Sequence, residues 1–154
     1  MSSAAEQLAA LGLTLPPVTA PVAAYVPAVR TGSYVYVSGQ LPVVDGELPA
    51  TGKVGDAVSA EDAAGLARTC ALNALAAAAE AAGGLDAIVR IVKVLGFVAS
   101  APGFNGQPQV VNGASELLIE VFGEAGRHAR SAVGVAELPL DAPVEVELIA
   151  EVRA

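Results

Sequence analysis

The last quarter of the chain alternates with period two. His128-Ala-Arg130-Ser131-Ala-Val133-Gly-Val135-Ala-Glu137-Leu-Pro139 and Pro143-Val-Glu145-Val-Glu147-Leu-Ile149-Ala-Glu151-Val are two runs of strand length, joined by a short turn bearing Pro and Asp. In the first, Val133 and Val135 share a face opposite Ala132, Gly134 and Ala136. In the second, Val144, Val146 and Leu148 oppose Glu145, Glu147 and Ile149. Each run carries a charge, Arg130 in the first and Glu145 in the second. A charged side chain on a strand is costly unless it meets water, a partner or a ligand. Function is therefore sought first in this pair.

The rest of the chain supplies a short N-terminal helix, two long helices and three more strands. Residues 3–11 read as a short helix, stopped at Gly12 and followed by an extended arm through Pro16-Pro17 and Pro21. Tyr25–Val29 reads as a strand that Pro27 demotes to a sheet edge. Tyr34–Ser38 follows across a Thr31-Gly32-Ser33 turn as the second arm of a hairpin. Ser59 opens a helix with Glu61 and Asp62 in its first turn, where the helix dipole favours acids, and this helix runs to Gly83-Gly84. Ile88–Leu95 is dense enough in Val and Ile for a central strand, and a second long helix spans about Pro108 to Phe122. The order β-β-α-β-α-β-β predicts a single α+β domain of residues 1–154, with an N-terminal helix and arm at 1–24 and a core at 25–152. Two helices cover one face of a mainly antiparallel sheet. The valines on the other face call for association between copies.

Bulk properties narrow the partners. A net charge of −8, from 16 acidic and 8 basic residues, opposes binding of nucleic acid or an anionic membrane. With no Trp, three Tyr and three Phe there is little to stack bases upon. One Cys cannot form an internal disulfide, and one His rules out a His-rich metal site. The start lacks a basic segment and an unbroken apolar core, and the Ala-rich stretch at 71–85 is interrupted by Glu80 and Gly83-Gly84. A soluble cytoplasmic protein is expected.

Singly, the candidate residues are ambiguous. Arg130 fits a surface ion pair as well as a ligand anchor, and Glu147 and Glu151 fit a solvated strand face. Asn112, a poor helix former, serves as a cap, a surface residue or a polar contact to the sheet. His128 suits a surface or capping role, Tyr25 and Ser38 suit ordinary strand positions, and Cys70 suits a buried small hydrophobe.

Taken together these residues form a pattern. Tyr25-Val, Val35-Tyr-Val-Ser38-Gly39-Gln40-Leu-Pro42, Ala81-Ala-Gly83, Ile88-Val, Phe97-Val, Val111-Asn112, Ala129-Arg130-Ser131-Ala-Val133, Leu138-Pro139 and Val144-Glu145-Val-Glu147-Leu-Ile-Ala150 occur in this order between Tyr25 and Val152. In this the chain resembles the Rid family (reactive intermediate deaminases, also called the YjgF family), and its longer branch in particular. The resemblance implies a chorismate-mutase-like fold and a homotrimer with active sites in the clefts between subunits. It places Arg130 as the binder of a substrate carboxylate, Glu145 as the carboxylate that positions or activates water, and Tyr25, Ser38 and Asn112 along the cleft. His128 and Ala132 flank Arg130 within that cleft and mark a departure, because the family's Pro-Ala-Arg-Ser-Cys reads here His128-Ala-Arg-Ser-Ala132. Two further departures are the N-terminal arm, expected to pack across the trimer edge, and a longer loop from Gly96 to Gln109.

The implied activity is hydrolytic deamination of small enamines or imines, such as 2-aminoacrylate or 2-iminoacids, to 2-ketoacids and ammonia. Such a substrate is already reactive, so the resemblance implies neither metal nor organic cofactor, and metabolite damage control is the implied purpose. Two alternatives stand beside it: a small-ligand-binding or interaction protein using the same cleft without turnover, and a hydrolase of another C–N bond.

Overall fold

The computed structural model describes residues 2–18, 20–21 and 23–154. Met1, Thr19 and Val22, which fall in the N-terminal arm, lie outside them. Three α-helices, α1 (Ala4–Ala10), α2 (Ala60–Ala82) and α3 (Gln107–Phe122), accompany five strands: β1 (Ala28–Thr31), β2 (Tyr34–Val37), β3 (Ile88–Ala99), β4 (Ala129–Val135) and β5 (Val144–Val152). The strands form one mixed sheet in the order β1-β2-β5-β3-β4. This is the α+β architecture expected from the order of elements, and the chorismate-mutase-like fold that the resemblance implies.

Local chemistry explains the helix ends. Ser59 caps α2 by accepting the Asp62 N–H, and Gly83 closes it in the left-handed region (φ 92°), with the Gly83 and Gly84 N–H groups both donating to the Ala79 carbonyl. Ser3 and Glu6 form a reciprocal capping box on α1, and the Ala5 N–H donates to Asp86 Oδ1, tying this helix to the segment before β3. The described part of the arm lies against the chain's own core, where Leu13, Leu15 and Val18 pack.

The Ala-rich face of α2 lets it approach α3 and the sheet closely. At Gly113 on α3 a Cβ would collide with the Ala64 carbonyl, and at Gly96 on β3 one would collide with the Val111 side chain. Small residues thus set both the helix–helix and the helix–sheet spacing. The core lies between the two layers, where Val144, Val146, Leu148, Ala150 and Val152 of β5 meet Cys70, Ala71, Ala74 and Leu75 of α2. Burying each Val or Leu contributes roughly 1.5–3 kcal/mol.

One feature goes beyond the sequence reading and two depart from it. The two closing strands are not neighbours, because β3 lies between them, pairing parallel with β4 and antiparallel with β5. Strand β3 is also longer than its Val- and Ile-rich part, running to Ala99 and taking in Gly96. The loop expected from Gly96 therefore shortens to residues 100–106. Tyr25 precedes the edge strand rather than belonging to it. The chain bends through residues 23–25, and pairing with β2 begins only at Ala28. Pro27 offers no N–H to a ladder but does offer its carbonyl, which accepts the Ser38 N–H at 2.8 Å.

The far face of the sheet has no helix on it. Val29, Tyr36 and Val133 project there with 52%, 48% and 44% of their surface exposed. No helix among the described residues is long and apolar enough to cross a membrane.

Candidate functional site

Residues on α3 and β4 form the first of two clusters. Asn112 and Ser115, three residues apart, share one side of α3, and both reach Arg130 on β4. Arg130 Nη1 donates to Asn112 Oδ1 at 2.7 Å and to Ser115 Oγ at 3.2 Å, while Nη2 donates to the Pro108 carbonyl at 3.3 Å. All three acceptors are neutral. None of the ion pairs among the described residues includes Arg130; these join Lys53 to Glu137, Arg68 to Glu120 and Arg127 to Glu124. A guanidinium has five N–H donors. Three hydrogen bonds leave two donors, the number a carboxylate accepts in a bidentate pair.

His128 stands beside this group. Its Nδ1 lies 2.6 Å from the Gly126 carbonyl and its Nε2 lies 2.9 Å from Ser115 Oγ. Burial lowers the imidazole's pKa below 6.5; the Gly126 hydrogen bond opposes that shift and the nearby Arg130 charge adds to it. Ser115, Ile119, Arg127, His128 and Arg130 line an open cavity of about 210 Å³. Ala132 follows on the same face of β4 and packs against the core, leaving no thiol beside the arginine.

The second cluster surrounds Glu145. This residue pairs with Phe97 of β3 on the helix-free face, and the Gln40–Val146 bridge brings the segment after β2 alongside it. A Cβ on Gly39 would sit 2.6 Å from Glu145 Oε2, so the missing side chain makes room for the carboxylate. Burial raises the Glu145 pKa above 4.5, and the like charge of Glu147 raises it further. Ser38 does not aim a free hydroxyl at this carboxylate: its Oγ donates to the Val26 carbonyl at 2.7 Å and thereby holds the segment that carries Tyr25. Tyr25 itself is 55% exposed.

Of the residues singled out in the sequence, Arg130, Asn112 and His128 thus come together, with Ala132 on the same strand face. Ser38 and Glu145 both adjoin Gly39, with the Tyr25 segment tied to Ser38. The two groups do not meet within one chain. Arg130 pairs with Val94, whose side chain is buried beneath the helices, whereas Glu145 pairs with Phe97 on the opposite face. Ser115 escaped the sequence reading. A serine on the apolar side of a helix signals a polar contact only once its spacing from Asn112 is set against Arg130. Among the described residues no three His, Cys, Asp or Glu side chains gather as a metal-binding group. Cys70 is fully buried, its thiol pKa raised first by burial and then by the Glu145 charge, in keeping with a core residue.

A family model described as "YjgF/chorismate mutase-like, putative endoribonuclease" matches residues 5–152. The chain belongs to the YjgF family. Among curated members, Protein TCP17 of Trypanosoma cruzi is 45% identical over 150 residues, covering 97% of this chain and 94% of that one. The crystal structure of Atu1372 from Agrobacterium tumefaciens is 47% identical, with a TM-score of 0.89 over 96% of this chain and 91% of the other. The crystal structure of TdcF from E. coli with bound serine is 31% identical, with a TM-score of 0.66 over 89% of this chain and 94% of that chain.

Proposed function

We propose that this YjgF-family protein hydrolyses small 2-imino acids, including those formed from 2-aminoacrylate, to 2-ketoacids and ammonia. The site lies in a cleft between copies of the chain in a homotrimer. Arg130 of one copy binds the substrate carboxylate through its two remaining donors. Glu145 of the next copy holds a water against the imine carbon. The substrate reacts as its protonated imine: as the water oxygen bonds to that carbon, the C=N π pair moves to nitrogen and neutralises it, and Glu145 accepts a proton from the water. Glu145 then returns that proton to the carbinolamine nitrogen. As ammonia leaves with the C–N bond pair, the hydroxyl oxygen forms C=O and gives its proton back to Glu145. A carboxylate whose pKa is raised toward neutrality suits these transfers.

The observation that carries this reading is the state of Arg130: a half-buried cation, oriented by three neutral acceptors, with no carboxylate paired to it among the described residues. Such a group is an anion site. The unpaired Glu145 across the sheet and the apolar face around it support completion of the site by a second copy. An amino acid bound in the relative TdcF agrees with a ligand bearing a carboxylate.

The test is to generate 2-aminoacrylate in place with a dehydratase and follow loss of the imine. Acceleration by the wild type and its loss in Arg130→Ala are expected. No acceleration by the wild type removes the deaminase reading. Tight 2-ketoacid binding without turnover supports a ligand-binding protein instead.

A further inference from the structure

Arg130, Ser115, His128 and Gly126 form a hydrogen-bond chain whose direction is fixed by chemistry. The Gly126 carbonyl can only accept, so His128 Nδ1 carries the proton across the 2.6 Å contact. In the neutral ring Nε2 is then an acceptor, and the Ser115 hydroxyl donates to it at 2.9 Å. That commits the only hydroxyl hydrogen of Ser115 and leaves its lone pairs for the Arg130 Nη1 donor at 3.2 Å. Ser115 is the one buried polar side chain among the described residues, and its hydroxyl meets both partners.

The far end of the chain is anchored too. At Gly126 a Cβ would collide with the Leu118 carbonyl of α3, so this backbone lies directly against the helix that carries Asn112 and Ser115. The Arg127 carbonyl next to it accepts from Arg90 Nη2 at 3.1 Å. Asn112 fixes the guanidinium from one side, and the serine–histidine pair fixes it from another.

We propose that Ser115 and His128 are positioning residues for Arg130, holding the plane of its guanidinium so that the two free donors meet the carboxylate of a small 2-oxo or 2-imino acid. This rests on the reading of Arg130 as the carboxylate anchor. Neither residue touches the reacting carbon. Their effect falls on ligand affinity and on the state of the His128 ring.

His128 is the single histidine of the chain, so its imidazole gives one set of signals in a long-range ¹H–¹⁵N spectrum of the intact protein. The expected wild-type spectrum is the Nδ1–H tautomer, and titration with pyruvate shifts it. Ser115→Ala is expected to weaken pyruvate binding about tenfold, the effect of one lost hydrogen bond to a charged group, and to move the ring toward a tautomer mixture. Ser115→Thr, which keeps the hydroxyl, restores both. Thermal melts of each variant separate a positioning effect from loss of fold. An Nε2–H tautomer in the wild type, or wild-type affinity in a folded Ser115→Ala, overturns the positioning role while leaving the anchor reading intact. Pyruvate binding unaffected by Arg130→Ala, or absent in the wild type, overturns the anchor reading and the positioning role with it.

Discussion

The Arg130 guanidinium and the Glu145 carboxylate project from opposite faces of one sheet. Their neighbours on β3, Val94 and Phe97, point respectively into the helix layer and onto the helix-free face. On the proposed reading each chain contributes two half-sites, and the surroundings of each charge suit it. Arg130 is cradled by neutral acceptors, and Glu145 lies over a glycine whose missing side chain gives it room. In the proposed site a ligand or a second copy offsets the cost of each charge.

The fork geometry of Arg130 should matter beyond its charge. Arg130→Lys keeps the cation but loses the paired donors and the bonds to Asn112 and Ser115. A hydrogen bond to a charged group contributes about 1.5–3 kcal/mol, so a fall of roughly 10- to 100-fold in kcat/KM is expected. Steady-state kinetics with 2-aminoacrylate generated in place would measure it. Activity equal to wild type would show that a point charge suffices.

Gly39→Ala is a probe of Glu145 that leaves Glu145 itself unchanged. The new methyl would meet the end of a flexible side chain 2.6 Å away, so the carboxylate shifts while the backbone stays. A displacement of about 1 Å at a reacting group costs on the order of 100-fold in rate. The expected result is a large loss of kcat with a melting temperature close to wild type, measured by kinetics and thermal unfolding on the same preparation.

Glu145 should also limit stability. Its folded pKa is raised above 4.5, so its favourable share of stability is present below that pH and is lost as pH rises through the folded value. Glu145→Gln is therefore expected to melt higher than wild type at pH 7 while losing activity, with the difference closing in acid. His128 runs the other way. Its folded pKa lies below 6.5, so its contribution is present above 6.5 and is lost as pH falls through the folded value. Thermal melts of Glu145→Gln and His128→Gln across pH 4–8 would resolve the two.

The sequence carried the elements and the faces more fully than the neighbours. Alternation in Val144–Val152 told which side chains are buried, and Ser59 and Gly83 marked the ends of α2. Alternation says nothing of which strand lies alongside. The insertion of β3 between the two closing strands depends on long-range pairing, and so does the division of the site between faces. Tyr25 read as a strand residue because its neighbours are β-formers, whereas the chain bends there before Pro27. Ser115 was silent because a hydroxyl on an apolar helix face has many partners until the fold supplies one. The family, by contrast, was legible in the ordered Ser-Gly-Gln-Leu-Pro and Ala-Arg-Ser patterns, which constrain several separated elements at once.

In the proposed trimer each active site draws Arg130 from one copy and Glu145 from another. Arg130→Ala and Glu145→Gln, each inactive alone, should be unfolded together in equal amounts, refolded, and assayed for imine hydrolysis, with mixed oligomers confirmed by intact mass. Random mixing leaves roughly a quarter of the sites with both residues intact, so about a quarter of wild-type activity should return. Mixed oligomers with no more activity than either parent would contradict a site shared between copies.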